Sequence, residues 1–184
     1  MTEVRLRVNG ATAACDIRAD EVLLDTLRDR LGLRSVRYCC GIGVCGTCTV
    51  LLDGHPVSSC LFLTAMVGER PVRTAESLDP GDRVPAAVVD SGAFQCSYCL
   101  PGMLLTAEAA LADNPAIGAA ELRDLLAGNL CRCGSYPQVM DAVSRLTDGP
   151  PEPGRQEPGR QEPGKQEPGK QEPGRQEPGQ RKEQ

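Results

Sequence analysis

The stretch YCCGIGVCGTCTV, Tyr38 to Val50, holds four cysteines and three glycines in thirteen residues. Two readings compete for it. Gly41-Ile42-Gly43-Val44-Cys45-Gly46 is a literal G-x-G-x-x-G, the pattern that cradles a dinucleotide pyrophosphate. Alternatively the cysteines form a metal-ligand loop, and Gly41, Gly43 and Gly46 let the backbone wrap closely around it. A dinucleotide loop must follow a strand and open a helix. Here Val22, Leu23, Leu27 and Leu31 share one helical face before the stretch, with Asp20 as N-cap and Gly32 as stop. Thr49 to Leu52 after it reads as a strand that turns at Asp53-Gly54 and returns over Pro56 to Ser59. The order of elements is wrong for a pyrophosphate and leaves the metal loop.

Cys40, Cys45, Cys48 and Cys60 give C-x4-C-x2-C-x11-C, the plant-type [2Fe–2S] spacing with a distant fourth cysteine. Zinc also accepts four thiolates but usually takes two short-spaced pairs, which this spacing does not supply. A Rieske centre needs two histidines, whereas the chain has only His55, which lies beside the hairpin turn and is given no role. A second set follows: Cys96-x2-Cys99, then Cys131-x-Cys133. Pro101 marks a helix start, so the first pair lies where free N–H groups and the helix dipole favour thiolates. Gly128 ends the helix before the second pair. Cys39 would stretch the loop spacing to x5 and is expected to face away. Cys15, on a strand, is expected to be a small core residue. Tyr38, Phe62, Phe94, Tyr98 and Tyr136, all the aromatics of the chain, fall within three residues of these cysteines. They are read either as shields against water or as ordinary packing.

The remainder of the chain has two periods and a tail. Val4, Leu6 and Val8 alternate before the turn Asn9-Gly10, and Pro71 to Thr74 closes a small mixed sheet. After the linker Leu78 to Asp82, helices are expected over Val84–Asp90, Met103–Ala112, Ala119–Ala127 and Gln138–Leu146. Leu122, Leu125 and Leu126 form one helical stripe there, and Val139, Val143 and Leu146 another. The reading is α+β: a domain over 1–76, a helical domain over 82–148, and a tail over 150–184. The tail repeats EPGRQ or EPGKQ without an aliphatic or aromatic side chain, so it is expected to stay disordered. Its acids and bases balance, leaving the whole formal charge of −5 on the body. That acidity, with no basic block, argues against nucleic acid as a partner. No membrane-length apolar run or leader pattern is read, and ten cysteines kept as thiols suit the cytoplasm.

The segments CGIGVCGTCTVLLDG, SSCL, FQCSYCLPGML and GNLCRCGSY closely resemble the iron–sulfur subunit of the molybdenum hydroxylases, over about residues 3–147. Xanthine dehydrogenase, aldehyde oxidoreductase and carbon monoxide dehydrogenase are of this type. The resemblance implies a β-grasp, plant-type ferredoxin domain followed by a four-helix [2Fe–2S] domain. It implies two [2Fe–2S] clusters here, with molybdopterin on a large partner subunit and FAD on a medium one. By the same resemblance, Cys96, Cys99, Cys131 and Cys133 hold the molybdenum-proximal cluster and Cys40, Cys45, Cys48 and Cys60 the flavin-proximal one. Gln95 and Cys133 are implied to lie near the pterin. Cys39 stands where the family commonly has Gly, and Gly134-Ser135 follows CRC where Thr-Gly is frequent. The rival readings are a free-standing two-cluster electron carrier and a zinc-stabilised interaction module. The substrate of the assembled enzyme is not written in this chain.

Overall fold

In a computed structural model of the chain, residues 1–147 are described; Asp148 and the repeat over 150–184 lie outside the described residues. Strands β1 (Thr2–Val8) and β2 (Ala11–Ile17) form an antiparallel hairpin, and β3 (Thr49–Leu52) and β4 (His55–Ser58) form a second. Asn9 and Asp53 take left-handed backbone at the two turns, with φ of 51° and 54°, as two-residue hairpin turns demand. Strand β5 (Pro71–Arg73) enters between the hairpins, parallel to β1 and antiparallel to β3. The five-stranded order is β2-β1-β5-β3-β4.

Helix α1 (Leu23–Asp25) continues as a π-helical turn over Thr26–Arg30, closed by Leu31 N–H donating to the Thr26 carbonyl at 3.1 Å. Alternation along the strands turns Leu6, Val8, Val50, Leu52 and Val72 to one face, where Leu23, Leu24 and Leu27 cover them. Strand β3 is buried on both faces, because a helix of the second half lies against its other side. That half is all-helical among the described residues: α2 (Arg83–Asp90), α3 (Leu100–Asp113), α4 (Ala119–Leu126) and α5 (Tyr136–Ser144). Val88, Met103, Leu122, Leu126, Met140 and Val143 centre its core. The architecture is α+β.

Several expectations shift. Val22, not Asp20, precedes the first helix; Asp20 pairs instead with Arg18 at 3.0 Å. Helix α3 begins three residues earlier than the apolar pattern indicates, because Pro101 fits its first turn. Leu122 and Leu126 are buried but Leu125 is 50% exposed, since a step of one residue swings a side chain about 100° around a helix.

The residue that fastens the first helix is Glu21. Its carboxylate is buried and accepts from Arg30 Nε at 3.2 Å and Nη2 at 3.1 Å, and from the Thr26 hydroxyl at 3.0 Å. Its backbone carbonyl accepts from Thr64 N–H at 2.9 Å. The Arg30 hydrogen bonds, against the opposing effect of burial, hold the carboxyl at about 2, below its ordinary 4.5. A lowered value means the contribution is full above about pH 4.5 and is lost as pH falls toward 2. Glu21→Gln should therefore cost on the order of 2 kcal/mol at pH 7. The gap from wild type in urea unfolding should narrow as pH falls through that window.

Candidate metal centres

The loop from Cys40 to Cys48 curls because Gly41, Gly43 and Gly46 all have left-handed backbone, with φ of 68°, 74° and 66°. At two of them space is as binding as angle. A Cβ on Gly43 would run into the Leu61 side chain, and one on Gly46 into the Gly128 carbonyl and Asn129. The curl turns backbone N–H groups inward. Those of Ile42, Cys45 and Val44 donate to the Cys40 sulfur, and that of Gly43 donates to Cys60. Led by the Ile42 N–H, these bonds bring the Cys40 thiol down to about 6. Burial pushes Cys60 up to about 11. Cys40 contacts Cys45, and Cys48 contacts Cys60; the Thr47 hydroxyl lies 3.0 Å from the Cys45 sulfur. Cys45, Cys48 and Cys60 are buried and Cys40 is half-buried.

The second set is assembled from the start of α3 and the loop between α4 and α5. Cys99 is the residue before α3, with Pro101 in the first turn. Ser97 has φ of 59°, unusual for a side-chain-bearing residue, and this turn lets Tyr98 N–H reach the Cys96 sulfur. The Cys96 and Cys133 sulfurs are 3.2 Å apart, and Cys99 contacts Cys131. Burial pushes Cys99 up to about 12. Burial also pushes Cys131 upward, but the Ser135 hydroxyl at 3.4 Å and the N–H groups of Cys133 and Ser135 outweigh it and bring it to about 7. Cys96 and Cys133 are exposed. Gln95 is exposed immediately before Cys96.

Among the described residues, no three His, Cys, Asp or Glu side chains converge as a ready-made site for a metal ion. The sulfurs instead approach in small groups: Cys39 and Cys40 beside Cys45, Cys48 beside Cys60, Cys96 beside Cys133 and Cys99 beside Cys131. Two pairs of thiols, with inward backbone N–H groups and few charged neighbours, are a donor set suited to two irons bridged by sulfide.

The two sets meet backbone to backbone. Leu130 N–H donates to the Cys45 carbonyl at 2.9 Å. The buried Asn129 amide donates to the Gly46 carbonyl at 3.0 Å. Gly102 of α3 lies so close to that carbonyl that a Cβ there would collide with it. Farther out, the Tyr98 hydroxyl donates to the Tyr38 carbonyl at 2.5 Å, and the Arg37 guanidinium sits over the Tyr98 ring at 5.4 Å. Sequence reading missed Gly102 and Asn129; a glycine in the first turn of a helix, and a Gly-Asn pair just before Cys131, were the available signals. Of the five aromatics, Phe62 and Tyr136 pack partly buried against the two cores, whereas Tyr38, Phe94 and Tyr98 are 59%, 40% and 41% exposed. The expectation for Cys39 is corrected, because its exposed thiol turns toward Cys45 and Thr47.

Residues 6–74 match the family described as a 2Fe-2S iron-sulfur cluster binding domain, and residues 74–144 match the [2Fe-2S] binding domain family. The class is thus an iron–sulfur electron-transfer component of an oxidoreductase. The chain is 37% identical over 143 residues to the nicotinate dehydrogenase small FeS subunit of Eubacterium barkeri, covering 76% of this chain and 91% of that one. It is 41% identical over 127 residues to the xanthine dehydrogenase iron-sulfur-binding subunit of Escherichia coli O157:H7, covering 66% and 79%. The fold is similar to quinoline 2-oxidoreductase from Pseudomonas putida 86, with a TM-score of 0.74 at 36% identity over 78% of this chain and 90% of that one. It is equally similar, at 0.74 and 36%, to part of the aldehyde oxidoreductase from Desulfovibrio desulfuricans, over 78% of this chain and 17% of that one. The chain belongs to the iron–sulfur small subunits of the molybdenum hydroxylase family. Such subunits imply larger partner subunits.

The close approach at Gly46 has a direct test. Gly54 has a similar left-handed φ of 83° but open space around it, so Gly54→Ala should cost about 1 kcal/mol of backbone strain. Gly46→Ala adds a collision with Gly128 and Asn129 and should cost at least about 3 kcal/mol, read as a larger fall in Tm.

Proposed function

We propose that this chain is the electron relay of a molybdenum hydroxylase. When bound, two [2Fe–2S] clusters supply reversible one-electron transfer, linking a molybdopterin centre on a large subunit to FAD on a medium subunit. Cys96, Cys99, Cys131 and Cys133 hold the cluster nearer molybdenum, and Cys40, Cys45, Cys48 and Cys60 the one nearer FAD. The observation that carries this reading is the 2.9 Å hydrogen bond from Leu130 N–H to the Cys45 carbonyl. It joins a ligand residue of one set to the neighbour of ligand Cys131 in the other, through one hydrogen bond and a few covalent bonds.

The chain's own residues bind, orient and insulate. Inward N–H groups of the loop Gly41 to Gly46 stabilise thiolate charge, as do those of Tyr98, Cys133 and Ser135 in the second set. Each half adds a metal staple to a core that is small on its own; the halves are domains over 1–76 and 82–148. The mixed sheet, with β1 and β5 parallel at its centre, supports a β-grasp reading of the first.

Partner surfaces fit this role. Ile42, Val44, Leu61 and Met66 are more than half exposed around the first loop, where a FAD-binding subunit would dock. Phe94, Tyr98 and Leu130 stand exposed around the second set, facing the molybdopterin subunit, with Gln95 and Cys133 toward the pterin. Among the described residues no helix is long and apolar enough to cross a membrane, which accords with work in the cytoplasm. The aldehyde oxidoreductase match, confined to 17% of that chain, supports molybdopterin chemistry residing outside this one.

Purified protein should carry about four irons and four sulfides per chain and give two distinct EPR signals on reduction. It should co-purify with two larger subunits. Colourless protein holding zinc would overturn the relay reading, and a lone monomer in cell extract would favour a free-standing carrier.

A further inference from the structure

The N-terminal site contains five thiols where a two-iron cluster takes four. Cys39 and Cys40 both contact the Cys45 sulfur, and the Thr47 hydroxyl lies within reach of Cys39 as well as Cys45. The other pair has no such redundancy: Cys48 and Cys60 are 2% and 7% exposed, with no adjacent cysteine. The site is therefore closed on one side and open on the other. On the open side there is room. Gly41 follows Cys40, the nearest atom to its face is the Tyr38 hydroxyl, and Tyr38 itself is 59% exposed. Neighbouring Cα atoms are only about 3.8 Å apart, so exchanging one sulfur for the next needs a local peptide rotation, not a new loop.

We infer that Cys39 is a reserve ligand of the N-terminal cluster, able to replace Cys40 as the partner of Cys45. This rests on the iron–sulfur reading given above. The order of preference follows from the backbone. Three N–H groups, from Ile42, Val44 and Cys45, point at Cys40, and Cys39 has no comparable set. Cys40 holds the position while it is present, and Cys39 takes it when Cys40 is lost. The exchange consumes no oxidant or reductant: the Cys39 thiol releases its proton to solvent as its sulfur–iron bond forms, and the bond it replaces is the one Cys40 no longer makes.

Four variants of the full chain, co-expressed with its partner subunits, test this: Cys39→Ser, Cys40→Ser, the double variant, and Cys45→Ser, which has no neighbour to replace it. Iron and sulfide are counted, reduced samples are examined by EPR, and native samples are treated with iodoacetamide and Cys39 is read by mass spectrometry. Wild type should be alkylated at Cys39 and keep both clusters, and Cys39→Ser should also keep both clusters. Cys40→Ser should keep both clusters with a shifted signal for one, and Cys39 should react at least about tenfold more slowly than in wild type. The double variant and Cys45→Ser should lose that one cluster while the other signal persists, which shows that the chain has folded. The inference is overturned if Cys40→Ser loses the cluster as the double variant does, accumulates no better than it, or leaves Cys39 equally reactive. Wild-type chain without iron would instead sink the underlying reading.

Discussion

The carbonyl of Gly46 is the point on which both halves turn. It accepts from the buried Asn129 amide, it leaves Gly102 no room for a side chain, and the preceding carbonyl, of Cys45, accepts from Leu130. Each half is too small to rely on its apolar core alone. The junction makes the curl of one cysteine loop and the path of the other mutually dependent, so neither set of thiols is held by its own half alone. Close backbone approach does here what a long interfacial side chain does elsewhere, with less rotamer entropy to lose.

Within the sets, two physical effects oppose each other. Burial raises Cys60 and Cys99, while inward N–H groups lower Cys40, and the Ser135 hydroxyl with neighbouring N–H groups lowers Cys131. In the helical set each touching pair joins a lowered thiol to a raised one, Cys96 with Cys133 and Cys131 with Cys99. In the first of these pairs the Cys133 thiol donates to the Cys96 sulfur at 3.2 Å. A metal held by thiolates would release such protons to solvent, since thiolate ligands carry none.

Much of this was legible in the residue order. Asn9-Gly10 and Asp53-Gly54 announced both hairpins, and the helix before and strand after the glycine-rich loop separated a metal loop from a nucleotide loop. Pro101 located the helix at the second set, although the apolar pattern placed its start too late. What was not legible is what depends on the path of the chain in space. Asp20 looks like a cap until its neighbour Arg18 pairs with it, and Leu125 looks like core until α4 is rotated against its neighbours. Nothing local to Gly102 or Asn129 says that the Gly46 carbonyl will lie against them. Cys39 was judged by spacing alone, which counts residues but does not say which way a thiol turns.

The Asn129 bond spans 83 residues of sequence, and this has a consequence in time. A ribosome makes the strands and the first cysteine set, Cys40 to Cys60, well before it reaches Leu130. Until then the carbonyls of Cys45 and Gly46 face water instead of their partners, and the first ligand loop stands open on the side the helical half later covers. Vectorial synthesis thus gives the nascent chain an interval in which its first cysteine set is more accessible than in the finished fold.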